Sequence, residues 1–253
     1  MLLFVLIAIL FLSACGHPKQ AHVNVPPPPP PASSTEAESQ PSANVPRSRE
    51  SANHKPEEEG DLAEPTLPAD AKPIATETGL ASWYGPPYHN RRGSNGEIYN
   101  MHAMTAAHRT YPLGSIVRVT NLKTGQTALV RITDRGPFIP GRVLDLSLAA
   151  AQKLDVWKPG VAEVRVELMQ SASPDSSGKW AVQIGGFPHE LAASKLADHL
   201  KRRYHTAKVL CFPSPAGDWW VRVRVLDDDH ARAQKLAAET RTPEGAVFLV
   251  RLD

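Results

Sequence analysis

Two cysteines, Cys15 and Cys211, are all that 253 residues contain, and they stand in segments of such different character that no disulfide is expected between them. Cys211, inside the run AKVLCFP, reads as a small buried hydrophobe of a strand. No sign of charge dominates. With 28 Lys and Arg against 26 Asp and Glu, the net charge of +2 points by itself neither to a nucleic-acid groove nor to an acidic substrate. His89, His102 and His108 lack zinc-type spacing, so no metal site and no cofactor are expected. A long hydrophobic run is also missing. The longest, Leu2–Leu12, is too short for a membrane-spanning helix of about 20 residues and has the length of a signal-peptide core, although no Lys or Arg precedes it.

That run ends in Leu12-Ser13-Ala14-Cys15, which resembles a bacterial lipobox. The resemblance implies a signal peptide over residues 1–14 and a lipidated Cys15 as the first mature residue, with acyl chains enough for stable membrane anchoring. Gly16 rather than Asp after the cysteine implies the outer membrane. Residues 15–78 then form the anchored linker. From His17 to about Glu77 they are rich in Pro, Ser, Ala and Glu, include the run Pro26–Pro31, and show no helical or strand periodicity. Such a segment cannot bury enough apolar surface to offset its ordering entropy, so a disordered, partly polyproline spacer is expected.

Residues 79–169 change character. Candidate strands at Gly79–Tyr84, Ser115–Asn121, Thr127–Thr133, Arg142–Leu146 and Val161–Leu168 alternate with turn signals, and Ser147 reads as the N-cap of a helix through Leu154. One short helix among many strands points to a small β-barrel.

The motifs GLASWYG, SNGEIYNMHAMTAAHRTYPLG, VRVTNLKTG, VRITDRGPF and RVLDLSLAAAQKL resemble the rare lipoprotein A family. The resemblance implies a six-stranded double-psi β-barrel related to expansins, and lytic transglycosylation of peptidoglycan. In that chemistry the MurNAc-GlcNAc β-1,4 bond is cut without water and a 1,6-anhydro-MurNAc end remains. One carboxylic acid can suffice, because the nucleophile is the sugar's own C6 hydroxyl.

The expected acid is Asp134, at the end of the apolar strand Leu129–Ile132 and before the Gly136-Pro137 turn. Arg135 facing it would hold that carboxyl down, so the two side chains are expected on opposite sides, with Arg135 toward substrate or another carboxylate. Glu97 follows the tight-turn pair Asn95-Gly96, and the resemblance makes it a second carboxylate of the site. His108 either bonds a carboxylate or sugar or is structural, and Asp145 either resembles the expansin-type acid or orders the helix start. Trp83 and Tyr84 suit stacking on sugar faces and equally suit core packing.

Residues 170–179 read as a solvated linker that lets two folded units move independently. Beyond it, residues 180–253 alternate as βαββαβ, one sheet with both helices on one face. Trp180–Phe187 (WAVQIGGF) resembles the opening of a SPOR domain, a module that binds peptidoglycan glycan strands without stem peptides, as found at division septa. If Val182, Ile184, Val221, Val223 and Val225 face the helices, Gln183, Trp220, Arg222 and Arg224 face outward as a sugar-binding surface. RNA is not expected there, since the aromatic RNP1 pattern is absent. The reading is a mainly β plus α+β, lipid-anchored, septum-targeted lytic transglycosylase. Its rivals are a non-cutting expansin-like or scaffold binder of the wall and a two-carboxylate hydrolase.

Overall fold

The computed structural model describes residues 62–173, 178–205, 208–213, 218–242 and 245–253. The expectations for the signal peptide, Cys15 and most of the spacer therefore lie outside the described residues. Among the described residues no helix is long and apolar enough to cross a membrane.

Strands β1 (Ala75–Trp83), β2 (Thr105–Ala107), β3 (Ile116–Asn121), β4 (Thr127–Asp134), β5 (Arg142–Leu146) and β6 (Val161–Gln170) close into a barrel in the order β1-β5-β2-β4-β3-β6. The pairs β1/β5 and β2/β4 are parallel and the remaining pairs antiparallel. Period-2 alternation sends Val117 and Val119 of β3 and Ala128, Val130 and Ile132 of β4 into the core, where they meet Leu144, Leu146, Val164 and Val166. Each Val, Leu or Ile among them contributes about 1.5 to 3 kcal/mol when fully buried, so the register is strongly specified.

Helix α1 (Leu148–Lys153) packs Ala150 and Ala151 into the barrel core. Ser147 caps it, its hydroxyl accepting from Ala150 N–H at 3.2 Å and donating to Ala103 O at 2.6 Å. β1 starts at Ala75, earlier than the expected Gly79, and pairs with β6 from Ala75 to Ser82. Some residues ahead of it also touch the barrel. Glu64 accepts from Leu129 N–H at 2.6 Å and pairs with Lys153, so this part of the expected spacer lies along the barrel wall.

The C-terminal module is β7 (Trp180–Phe187), α2 (Glu190–Arg203), β8 (Lys208–Pro213), β9 (Trp219–Arg224), α3 (His230–Glu239) and β10 (Ala246–Arg251). Its antiparallel sheet has the order β10-β7-β9-β8. Val182, Ile184, Val221 and Val223 meet Ala193, Ala197 and Leu200 of α2 and Ala233 and Leu236 of α3, which puts both helices on one face as expected.

The other face is not open to solvent, which corrects the expectation that Gln183, Trp220, Arg222 and Arg224 lie exposed on it. Gln183 is 2% and Trp220 6% exposed. Arg222 is half-buried, donating to Gln183 Oε1 at 3.1 and 2.6 Å and lying over the Phe212 ring at 5.1 Å. Arg224 is held by Asp228 at 3.0 Å. Alternation assigned the face correctly but could not say what covers it. Trp220 packs with Phe248 and Val250 of β10 and with Phe138 from the barrel, because a face carrying that much aromatic surface gains by leaving water. The barrel and the module are thus in contact, where a solvated linker between independent units was expected. Of the linker, Gln170 still belongs to β6 and residues 174–177 lie outside the described residues.

Candidate active site

Asp134 ends β4 and Glu97 sits in the loop ahead of β2, and both line one open hollow. Gly93, Asn95, Ile98, Tyr99, Asn100, Ala103, Thr105 and Thr133 complete its wall. The loop is a tight turn. Gly93 N–H donates to Glu97 O at 2.8 Å, and Gly96 takes φ +87°, a left-handed conformation that costs glycine least. Asn95 N–H donates to Thr133 O at 3.2 Å, tying the loop to the end of β4.

These ties set the first carboxylate. Asp134 Oδ1 accepts from Ser94 N–H at 3.0 Å, Ser94 O–H and its neighbour's Arg135 N–H at 2.8 Å. All of these donors meet the same carboxylate oxygen.

The second carboxylate is in a different state. Arg131 donates to Glu97 Oε2 at 2.8 Å and Asn95 Nδ2 to the same oxygen at 2.7 Å. The Arg131 hydrogen bond holds the Glu97 carboxyl below its usual value, which keeps it ionised at neutral pH.

The other expected residues fall around this pair rather than in it. Ala107 of β2 pairs with Asp134 on one side and Asp145 on the other, so the two aspartates sit two strands apart, about 10 Å between Cα atoms by strand spacing. Asp145 accepts from Ser82 O–H at 2.5 Å and lies 3.8 Å from Arg142. Burial pushes its carboxyl up despite Arg142 and Ser82, which favour its ionised form. It does not line the hollow. Nor does it cap α1, a task done by Ser147.

His108 does not line the hollow either. Its ring is 2% exposed, stacks on Tyr111 at 3.9 Å and meets Glu77 Oε1 through Nε2 at 2.5 Å. Nδ1 accepts from Thr110 N–H at 3.2 Å and Tyr111 N–H at 2.9 Å, which fixes the proton on Nε2. Burial pushes the imidazole below its usual value, so it is a neutral donor to Glu77. Its backbone N–H, by contrast, donates to Asp134 O at 3.1 Å.

Arg135 turns away from Asp134, as expected, but not toward the hollow. Its guanidinium donates to His108 O at 3.1 Å, Tyr111 O at 2.7 Å and Asp253 O. Burial pulls it down to about 10. Trp83 is half-buried against the barrel core. Tyr84 stacks on Tyr99 at 4.3 Å with its hydroxyl end inside, where burial pushes the phenol well up. Neither ring lines the hollow, whereas Tyr99 does.

Ser94, Arg131 and Glu77 are the supporting residues that sequence reasoning missed. Arg131 carried a signal, a lone charge interrupting the apolar strand ALVRIT. Ser94 and Glu77 reach their partners 40 and 31 residues along the chain and carried none.

The barrel is of the double-psi kind, and residues 76–166 match the family described as lytic transglycolase. Residues 176–247 match the family described as the SPOR domain. Among curated proteins, the chain is similar to the endolytic peptidoglycan transglycosylase RlpA of Helicobacter pylori strain J99, at 38% identity over 152 residues, 49% of this chain and 48% of the relative. It is similar to RlpA of Vibrio cholerae at 52% over 133 residues, 49% and 51% of the two chains. The probable RlpA of Synechocystis is 54% identical over 92 residues, 36% and 29% of the two chains. The chain spans about half the length of the first two of these relatives.

Proposed function

We propose that the barrel is a lytic transglycosylase acting on the MurNAc-GlcNAc β-1,4 bond of peptidoglycan strands that lack stem peptides. The observation that carries this reading is that Asp134 and Glu97 share one open hollow, with Arg131 holding the Glu97 carboxylate by direct contact.

Asp134, protonated on Oδ2, gives its proton to the bridging oxygen as the bond from C1 breaks. The Glu97 carboxylate offsets the positive charge that develops on the ring. The C6 hydroxyl of the same MurNAc then attacks C1 and returns its proton to Asp134, which regenerates the acid and leaves the 1,6-anhydro ring. No water is consumed. Asp145, His108 and Arg135 serve as supports: His108 and Arg135 fix the backbone beside Asp134, and Asp145 lies on the strand beyond Ala107.

The C-terminal SPOR module holds the barrel on peptide-free glycan through Gln183, Trp220, Arg222 and Arg224 once that face is uncovered, which supports enrichment at the division septum. A lipid on Cys15 would keep both at the outer membrane. Tethering of this kind raises avidity by up to about 10² to 10⁴ when both sites are filled together.

Amidase-treated sacculi incubated with the mature chain decide the reaction. Fragments with anhydro ends support the transglycosylase, whereas reducing ends would make it a hydrolase and intact sacculi a binder.

A further inference from the structure

The face of the C-terminal sheet turned away from α2 and α3 is occupied by the loop that follows Asp134. Phe138 lies beside Trp220 and Phe248, at ring-centroid distances of 5.5 and 5.8 Å. Arg109 lies over the Phe248 ring at 5.7 Å and donates to the Pro137 carbonyl at 3.0 Å. A main-chain bond reinforces the contact, with Arg251 N–H donating to Arg109 O at 3.0 Å. Arg135, next in chain to the acid, donates to the Asp253 carbonyl. Residues 135, 137 and 138 are therefore each held, directly or through Arg109, by the C-terminal module.

That same face gathers Trp220, Phe212 and the Arg222–Gln183 pair. A sugar ring needs an aromatic face to lie on and polar groups for its hydroxyls. With Trp220 only 6% exposed under Phe138, the face cannot take a sugar chain and keep the loop.

We propose that this face is one surface with two exclusive occupants, the barrel's loop 135–138 and a peptide-free glycan strand, so that capture of glycan by the sheet releases the loop beside Asp134. The inference rests on the proposed glycan binding by the SPOR module. A sugar ring takes the place of the Phe138 ring, and its hydroxyls take up the Arg222 and Gln183 groups. The latched form lowers the apparent affinity for glycan by the fraction of molecules in which the face is free.

The test follows hydrogen exchange of the Arg251 amide in the mature chain, with and without glycan strands freed of peptides by amidase, in wild type and Phe138→Ser. Glycan added to wild type should speed Arg251 exchange. Phe138→Ser should speed it without glycan and tighten glycan binding about tenfold, the gain expected when a face free about one time in ten becomes always free. Slower Arg251 exchange on adding glycan to wild type would overturn the proposal, and that arm needs no variant. Unchanged exchange and affinity in Phe138→Ser would overturn it while leaving glycan binding intact. Failure of both proteins to bind glycan would overturn the proposal together with the reading it rests on.

Discussion

Replacing His108 by Ala should destabilise the barrel before it says anything about chemistry. The imidazole is 2% exposed and has four partners: Glu77, two backbone N–H groups and the face of Tyr111. Losing a hydrogen bond to a charged group costs about 1.5 to 3 kcal/mol, and losing a ring stack about 0.5 to 1.5 kcal/mol more. Glu77 is 31% exposed and can partly rehydrate, which places the total toward the lower end, about 3 kcal/mol.

For a domain of this size that lowers Tm by about 12 to 24 °C, measurable by calorimetry or circular dichroism of the mature chain. The acid limb of the stability curve should change as well. Burial holds the folded imidazole below its usual 6.5, so its stabilisation is complete above that value and is lost as pH falls through the folded pKa. Glu77 is raised by burial but brought net below 4.5 by His108, so its share is also lost on the acid side, at lower pH. The alanine variant should therefore lose the part of the slope that begins below about pH 6.5. A variant with wild-type Tm and slope that no longer cuts glycan would refute the structural role and return His108 to the reaction.

Further outcomes follow from other contacts. Glu97→Gln should reduce cleavage at least about 10²-fold if charge on the ring is offset there, yet leave stability within about 1 kcal/mol because its pair with Arg131 is exposed; near-normal turnover would remove Glu97 from the site. Asp145→Asn should gain stability relative to wild type as pH rises from about 4 to 7, since burial raises the folded carboxyl and its stabilisation is lost as pH climbs through that value. A pH-independent difference in Tm would contradict the placement of Asp145. Gly245→Ala should unfold the SPOR module, because a Cβ there would stand 2.5 Å from the Gly185 carbonyl oxygen. Wild-type glycan binding by that variant would refute it.

The sequence carried the fold where alternation is strong. β3, β4 and β6 and the one-sided helices of the SPOR module are legible because each places apolar residues at its own period. β2 was not, since Thr105, Ala106 and Ala107 are all buried and show no alternation in three residues. The start of β1 was hidden for the opposite reason. Ala75 and Thr76 are exposed, so they read as spacer although their backbones pair with β6. Of the candidate site, Asp134 was expected from its place before a turn and Glu97 from the family resemblance, but Glu77 and Ser94 were not, because contacts that span a barrel leave no local trace. The cover on Trp220 was invisible for the same reason: a strand's pattern names a face and not its neighbour.

The most direct measurement is the release of anhydro-ended fragments from peptide-free glycan by wild type and Asp134→Asn, run beside a sacculus-binding assay. Loss of all such fragments with binding intact is the expected result, because an amide on β4 has no proton to give the bridging oxygen. Undiminished release by the variant would show that another group supplies the proton and that the hollow beside Glu97 is not where the bond breaks.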